Sequence, residues 1–157
     1  MHKNTLVTQT IKGDMMKSNK DLLASALKTT QMGQTGIRSV DTLPLRSDLM
    51  TALHVQLKEY DEFEKKTLAL AEKKGWVLDD LHPMVKAMAK ATTRTKLSYG
   101  NVDSKTAAMM IQGNTRGMIK GLRNLHACDP VDPEVKALCQ NLLDCEKDNI
   151  KQMQGFL

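Results

Sequence analysis

The stretch that decides the fold, residues 43–75, reads LPLRSDLMTALHVQLKEYDEFEKKTLALAEKKG. Its large and apolar residues recur with the spacing of one helical face, and they are Leu49, Leu53, Leu57, Tyr60, Leu68 and Ala71. Proline is tolerated in a first helical turn, and glycine favours the left-handed residue that ends a helix. We therefore predict one helix that starts at Leu43-Pro44 and ends at Gly75; about 29 helical residues span roughly 43 Å, which is the length of a bundle helix.

The segments before and after this stretch also have helical spacing. A first helix is predicted over residues 17–41, with an inward face of Leu22, Leu23, Ala26, Leu27, Thr30, Ile37 and Val40. Asp132 as N-cap and Pro133 in the first turn predict the start of the last helix. The inward residues of that helix are Val135, Leu138, Leu142, Cys145, Asn149 and Met153.

The third helix is predicted over residues 80–125, with a cap at Asp80 and an interruption near Gly100. Asp103 is placed to cap the continuation after the interruption. The inward face of this continuation is Ala107, Ile111, Asn114, Met118, Leu122 and Leu125. Strand-like alternation is nowhere sustained, so we predict an all-α fold, an antiparallel four-helix bundle. The chain of 157 residues is expected to form one domain, residues 1–157, with residues 1–16 as an extension.

The composition predicts an aliphatic core filled by methionine. Hydrophobic residues make up 41% of the chain, with eleven Met but only two Phe, two Tyr and one Trp. Methionine fills irregular gaps between helices, and it is also common on adaptable binding surfaces. Core filling is the favoured interpretation and a binding surface is the alternative.

Charge and cysteine content argue against several classes of protein. The net charge of +5 comes from scattered lysines without interleaved aromatic residues, so no nucleic-acid partner is expected. No run of 18 apolar residues exists, so no membrane span is expected, and the amino terminus lacks the apolar run of a signal peptide. Cys128, Cys139 and Cys145 have neither disulfide-framework nor zinc-site spacing, so they are predicted to be reduced thiols. A cytoplasmic location is the default expectation.

Three glycines, Gly113, Gly117 and Gly121, stand at four-residue spacing in the third helix. Each glycine in a helix interior costs about 1 kcal/mol relative to alanine, so the repeat needs a reason. Close packing of a neighbouring helix is the simplest explanation. A ligand that lies against the same glycines is the alternative.

A few polar residues on inward faces are the candidates for chemistry. Glu64, with Glu59 nearby, lies on the second helix, and Glu146 and Asn149 lie three residues apart on the last helix. A bundle that holds two metal ions needs a glutamate from each of two helices and Glu-x-x-His from each of the other two. Asn149 stands where that histidine would be expected. The four residues are therefore candidate ligands of a depleted, vestigial metal site.

Three stretches carry a resemblance to a known family: residues 14–18 (DMMKS), residues 56–76 and Glu146 in the last helix. The chain resembles the ferritin-like superfamily, and within it the spore coat protein F-like proteins of spore-forming bacteria. The resemblance implies a ferritin-like bundle, a spore location and homo-oligomers or other coat or helical proteins as partners. Coat-F-like proteins often carry a histidine beside acidic residues on the second helix, where this chain has Glu62-Phe63-Glu64.

Three functions remain open at this point. The first is a non-catalytic helical bundle, without a cofactor, that has a structural or interaction role in the spore or its coat. The second, an enzymatic function, is a degenerate iron or manganese oxidase, or a metal-binding protein, that uses Glu59, Glu64, Glu146 and Asn149. The third is a binder of a small apolar ligand at the glycines and methionines.

Overall fold

The computed structural model describes residues 16–81, 83, 86–87, 97 and 100–157. Its long helices are α1 (Asn19–Val40), α2 (Ser47–Lys74), α3 (Val102–His126) and α4 (Pro133–Gln154). No strand occurs among these residues. The described part of the chain is thus an all-α, four-helix bundle, as the sequence predicts. Residues 1–15 of the expected extension lie outside the described residues.

Most helix ends follow the local chemistry of the sequence. The Ser18 hydroxyl accepts a hydrogen bond from the Asp21 amide, and the Asp21 carboxylate accepts one from the Ser18 amide, which forms a capping box at the start of α1. Gly75 ends α2 in the left-handed conformation, with φ of 70°. Asp132 caps α4 with Pro133 in its first turn. The predicted end of α2 and start of α4 are confirmed.

The predicted starts of α2 and α3 are each wrong by a few residues. The helix α2 begins at Ser47 and not at Pro44, because the Leu45 amide bonds to the Leu43 carbonyl in a tight turn. The cap of α3 is Asn101 and not Asp103, since the Asn101 side chain accepts from the Ser104 amide at 3.1 Å. The Asp103 carboxylate instead accepts from the Arg46 amide at 3.0 Å and ties the two helix starts together.

Contacts between helix ends establish the direction of each helix. The Lys17 amide bonds to the Ala127 carbonyl, so the start of α1 lies beside the end of α3. Lys74 pairs with Asp132 at 2.7 Å, so the end of α2 lies beside the start of α4. The neighbouring pairs α1–α2, α2–α4, α4–α3 and α3–α1 are therefore all antiparallel, and the order is up, down, down, up.

This order requires residues 75–101 to cross from one end of the bundle to the other. The start of this crossover lies against α1, where Gln31 accepts from the Leu81 amide and donates to the Asp80 carboxylate. Gly100 has a φ of 82°, and α3 begins only at Val102, so the chain is interrupted at the expected place. Most of the helix predicted over 80–97 lies outside the described residues. Leu97 is helical and buried in the core.

The core consists mainly of aliphatic residues from all four helices. Its least exposed large side chains include Leu22, Leu23, Leu27, Leu49, Leu53, Val135 and Met153. Leu68 and Leu122 were predicted to point inward but are 43% and 41% exposed. Each lies eight residues beyond a buried residue, Tyr60 or Asn114, and eight residues rotate about 80° beyond two full turns. Both leucines therefore face away from the core.

Candidate functional site

The centre of the bundle contains a layer of buried polar side chains. Glu146 and Asn149, three residues apart on α4, are 2% and 3% exposed. Two facing helices contribute Tyr60 from α2 and Asn114 from α3, which are 3% and 6% exposed. We call these four residues the polar layer. Buried polar groups require partners, so their hydrogen bonds decide what the layer can do.

Three members of the polar layer form a chain of hydrogen bonds. The Asn149 side-chain amide donates to the Tyr60 hydroxyl oxygen at 3.4 Å, and that hydroxyl donates to Asn114 Oδ1 at 2.8 Å. The Asn114 side-chain amide then donates to the carbonyl of Met110, one turn earlier on α3, at 2.8 Å. Burial raises the pKa of the Tyr60 phenol, with a further contribution from Glu146, so this phenol stays protonated at neutral pH. The chain therefore consists of neutral groups.

The fourth member, Glu146, has a different environment. Its Oε2 makes no hydrogen bond with any residue of the described ranges. Burial raises the pKa of its carboxyl from 4.5 to about 8, because the charged form is poorly solvated there. Near neutral pH, the carboxyl is therefore mostly protonated.

The glycines of α3 explain how this carboxyl fits into the bundle. A Cβ at Gly117 would collide with the Glu146 carboxyl and would meet Thr29 of α1 at 3.0 Å. A Cβ at Gly121 would meet Leu143 at 3.0 Å. Gly113 differs, since a Cβ there would meet nothing within 4 Å. Four residues rotate about 40° beyond one helical turn, so the three glycines do not share one contact, and Gly113 takes no part in packing.

Glu59 lies outside the polar layer, on a groove between α2 and α4. The Cys145 thiol donates to its Oε2 at 3.5 Å, and Asn149 donates to the Cys145 sulfur at 3.7 Å. Burial, with the negative charge of Glu59, raises the pKa of the Cys145 thiol to about 12. This thiol is therefore protonated and a weak metal ligand at neutral pH. Cys128, Cys139 and Cys145 are all free thiols, as predicted.

Glu64 does not join the other candidate ligands in the polar layer. It is partly exposed, because it lies four residues beyond Tyr60 and is rotated by about 40° from it, whereas Thr67 continues the buried line. Within the described ranges, no three His, Cys, Asp or Glu side chains are arranged to hold a metal ion. The structure thus brings Glu146 and Asn149 together with Tyr60 and Asn114, and places Glu59 and Glu64 elsewhere.

This chain was compared with protein families, with curated proteins and with solved structures. No protein-family model, curated protein or solved structure matches this chain. Among the described helices, none has the length and apolar character needed to cross a membrane. The assignment of function therefore depends on the residues themselves.

Sequence reasoning missed the central role of Tyr60, which it had placed only on the apolar face of α2. The available signal was a tyrosine on an inward face in a chain that also has Asn114 and Asn149 on inward faces. Buried tyrosines usually hydrogen-bond through their hydroxyl, so these side-chain amides were the natural partners. The pairing itself is not visible in the sequence, because Tyr60 and Asn114 are 54 residues apart.

Proposed function

We propose that this chain is a ferritin-like bundle with a non-catalytic structural or interaction role, and that its centre works without a metal cofactor. The helix order supports the ferritin-like part of the proposal. Ferritin-like bundles have one long crossover connection, and here residues 75–101 run from the end of α2 to the start of α3 at the opposite end of the bundle.

The hydrogen bond from Tyr60 to Asn114 is the observation that carries the metal-free part. Two metal ions in a bundle core require several carboxylates together with histidines. The negative charge of the carboxylates balances the charge of the cations. The polar layer offers one carboxyl, from Glu146, and three neutral side chains that hydrogen-bond to one another. This donor set does not fit iron or manganese, so we assign no reaction step to a metal.

Elemental analysis tests the metal-free proposal. Protein purified without chelators, from cells supplied with iron and manganese, is expected to contain far less than one metal ion per chain. Aerobic oxidation of added ferrous iron is expected to proceed at the rate of a protein-free control. Stoichiometric iron or manganese in the wild-type protein would overturn the proposal. If the wild type contains bound metal and a Glu146→Gln variant does not, the alternative metal-binding function would be supported.

The interaction role is supported by apolar side chains that the bundle leaves uncovered. Ile119 and Leu122, three residues apart on α3, are 46% and 41% exposed and lie on one side of the helix. Self-association with a second copy through this side of α3 is part of the proposal. A role in the spore coat rests on the family resemblance alone.

Sedimentation over a range of protein concentrations tests self-association. The wild-type chain is expected to form a dimer or larger oligomer. The Ile119→Lys variant is expected to dissociate at a higher protein concentration than the wild type. Leu68→Lys is the matched control, since Leu68 is similarly exposed but lies on α2. A wild-type protein that is monomeric at every concentration would contradict this part of the proposal.

A further inference from the structure

A cavity of about 260 Å³ lies between α1 and α3. Its wall includes three methionines and three glycines: Met32, Gly33, Gly36, Met109, Met110 and Gly113. Flexible methionine side chains adapt to the shape of an apolar guest. Gly36 and Gly113 leave open space beside the helices, whereas the ring of Tyr60 fills the space over Gly33. We call the cavity as a whole the α1–α3 cavity. The rest of its wall carries mainly polar side chains, among them Gln56, Asn114 and Glu146, so the cavity combines an adaptable apolar part with polar groups that can orient a ligand.

The cavity also has a buried carboxyl oxygen that lacks a partner in the part of the chain that the structure describes. Glu146 of α4 reaches its wall, is 2% exposed, and has an Oε2 that bonds to no described residue. An unsatisfied buried oxygen of this kind destabilises the folded protein, so a donor placed beside it would be favourable. Gln56 of α2 lines the same cavity, and its side-chain amide donates to Gln152 at 2.7 Å, which leaves its carbonyl oxygen as a second acceptor.

We propose that the α1–α3 cavity binds a small organic amine, with its apolar body among the methionines and its ammonium group on the Glu146 carboxylate. An ammonium group carries donors only and so matches the Glu146 oxygen that has no partner among the described residues. Binding of the ammonium group favours the ionised form of the Glu146 carboxyl, which releases its proton to solvent, and a ligand carboxylate cannot form this ion pair. A neutral alcohol would gain one uncharged hydrogen bond. The inference goes beyond the proposed structural role and holds or fails independently of it.

The volume of the cavity and the charges around it limit which amines can bind. An enclosed protein cavity of about 150 Å³ holds benzene. The α1–α3 cavity opens to solvent beside Met32, which is 45% exposed, and its 260 Å³ accommodate a molecule of up to roughly ten non-hydrogen atoms. A phenylalkylamine or a medium-chain alkylamine has this size. Arg116 lies at the rim of the cavity but is exposed, so solvent and salt screen its repulsion of a cation.

Calorimetric titration with 2-phenylethylamine tests the proposal. At about pH 9, above the Glu146 pKa of about 8 and below that of an alkylamine, the amine is expected to bind at least about tenfold more tightly than 2-phenylethanol, because a charge-assisted hydrogen bond replaces a neutral one. The anion 3-phenylpropanoate is expected not to bind. Equal affinity for the amine and the alcohol, or no binding of the amine, would overturn the proposal.

Two variants and one control identify the binding site. Glu146→Gln is expected to reduce the amine affinity about tenfold, to the level of the alcohol. Gly36→Leu is expected to abolish binding of both, since a Cβ at Gly36 meets only the Met110 sulfur, at 4.0 Å, and the added side chain then fills the cavity. Glu64→Gln removes a carboxyl outside the cavity and is expected to change neither affinity. An amine preference that survives in Glu146→Gln would overturn the assignment of the carboxyl.

Methionine methyl resonances provide a second measurement that does not depend on the folding of any variant. Labelled wild-type protein titrated with the amine is expected to show shifts at Met32, Met109 and Met110, while Met153 in the core remains unchanged. Shifts confined to methionines outside the cavity would place the amine elsewhere and overturn the proposal.

Discussion

The Tyr60 hydroxyl donates a 2.8 Å hydrogen bond to Asn114 Oδ1 and so joins α2 to α3 across the diagonal of the bundle. The two helices are not neighbours, and both groups are buried. In a bundle that holds metal ions, the same central space would contain ligands. Here a neutral side-chain contact occupies it.

Replacing Tyr60 by phenylalanine is expected to lower the free energy of unfolding by about 1–3 kcal/mol, because buried oxygen and amide groups of Asn114 and Asn149 lose their partner. Urea denaturation measures the change. In the double variant Tyr60→Phe with Asn114→Leu, the loss is expected to be smaller than the sum of the two single losses. Strict additivity would show that the hydrogen bond contributes nothing.

The Glu146 carboxyl is expected to make stability depend on pH. Its pKa is about 8 in the folded protein and 4.5 when unperturbed, so between these values the folded state holds a proton that the unfolded state has released. The resulting stabilisation is fully present below about pH 4.5. It falls as the pH rises towards 8, by up to about 1.4 kcal/mol per pH unit.

Denaturation of the wild type and of Glu146→Gln at several values between pH 5 and pH 8 measures this effect. As the pH rises, the free energy of unfolding of the wild type is expected to fall relative to that of the variant, because glutamine does not titrate. Glu64→Gln is the control and is expected to run parallel to the wild type. Parallel curves for Glu146→Gln would show that the carboxyl does not titrate in this range.

Replacement by alanine is expected to have opposite effects on stability at Gly113 and at Gly117 of α3. Gly113→Ala adds a methyl group in open space and is expected to raise stability by up to about 1 kcal/mol, the helix-propensity difference. Gly117→Ala gains the same propensity, but its methyl group collides with Glu146 and Thr29, so a net loss of about 1 kcal/mol is expected. Thermal unfolding compares the two variants. Equal stabilisation by both would contradict the close contact at Gly117.

The start of α4 is expected to depend on the side chain of Asp132. Its Oδ1 accepts from the amides of Glu134 and Val135, and its Oδ2 pairs with Lys74. Asp132→Ala loses both interactions and is expected to cost about 1–2 kcal/mol. Asp132→Asn keeps the cap and is expected to lose much less stability than Asp132→Ala, because ion pairs near the surface contribute little. A similar loss in both variants would attribute the stability to the charge and not to the cap.

The sequence by itself determined the helices, the end of α2 at Gly75 and the start of α4 at Asp132. These features depend on caps and on periodicity within a few residues, and such local hydrogen bonds and apolar spacings are readable without the rest of the chain. The same reasoning erred at Asp103, because its carboxylate bonds to Arg46, a residue 57 positions away. It erred at Pro44 because a tight turn between Leu43 and Leu45 precedes the helix.

Tertiary structure alone decided which residues meet. Glu59, Glu64, Glu146 and Asn149 were chosen as one ligand set from their helical positions. A difference of about 40° in rotation separates Glu64 from the inward line of Tyr60. The order in which the helices pack determines the pairing of Tyr60 with Asn114, and it leaves one Glu146 oxygen without a partner among the described residues. That order depends on the end-to-end crossover of residues 75–101, which no local pattern specifies.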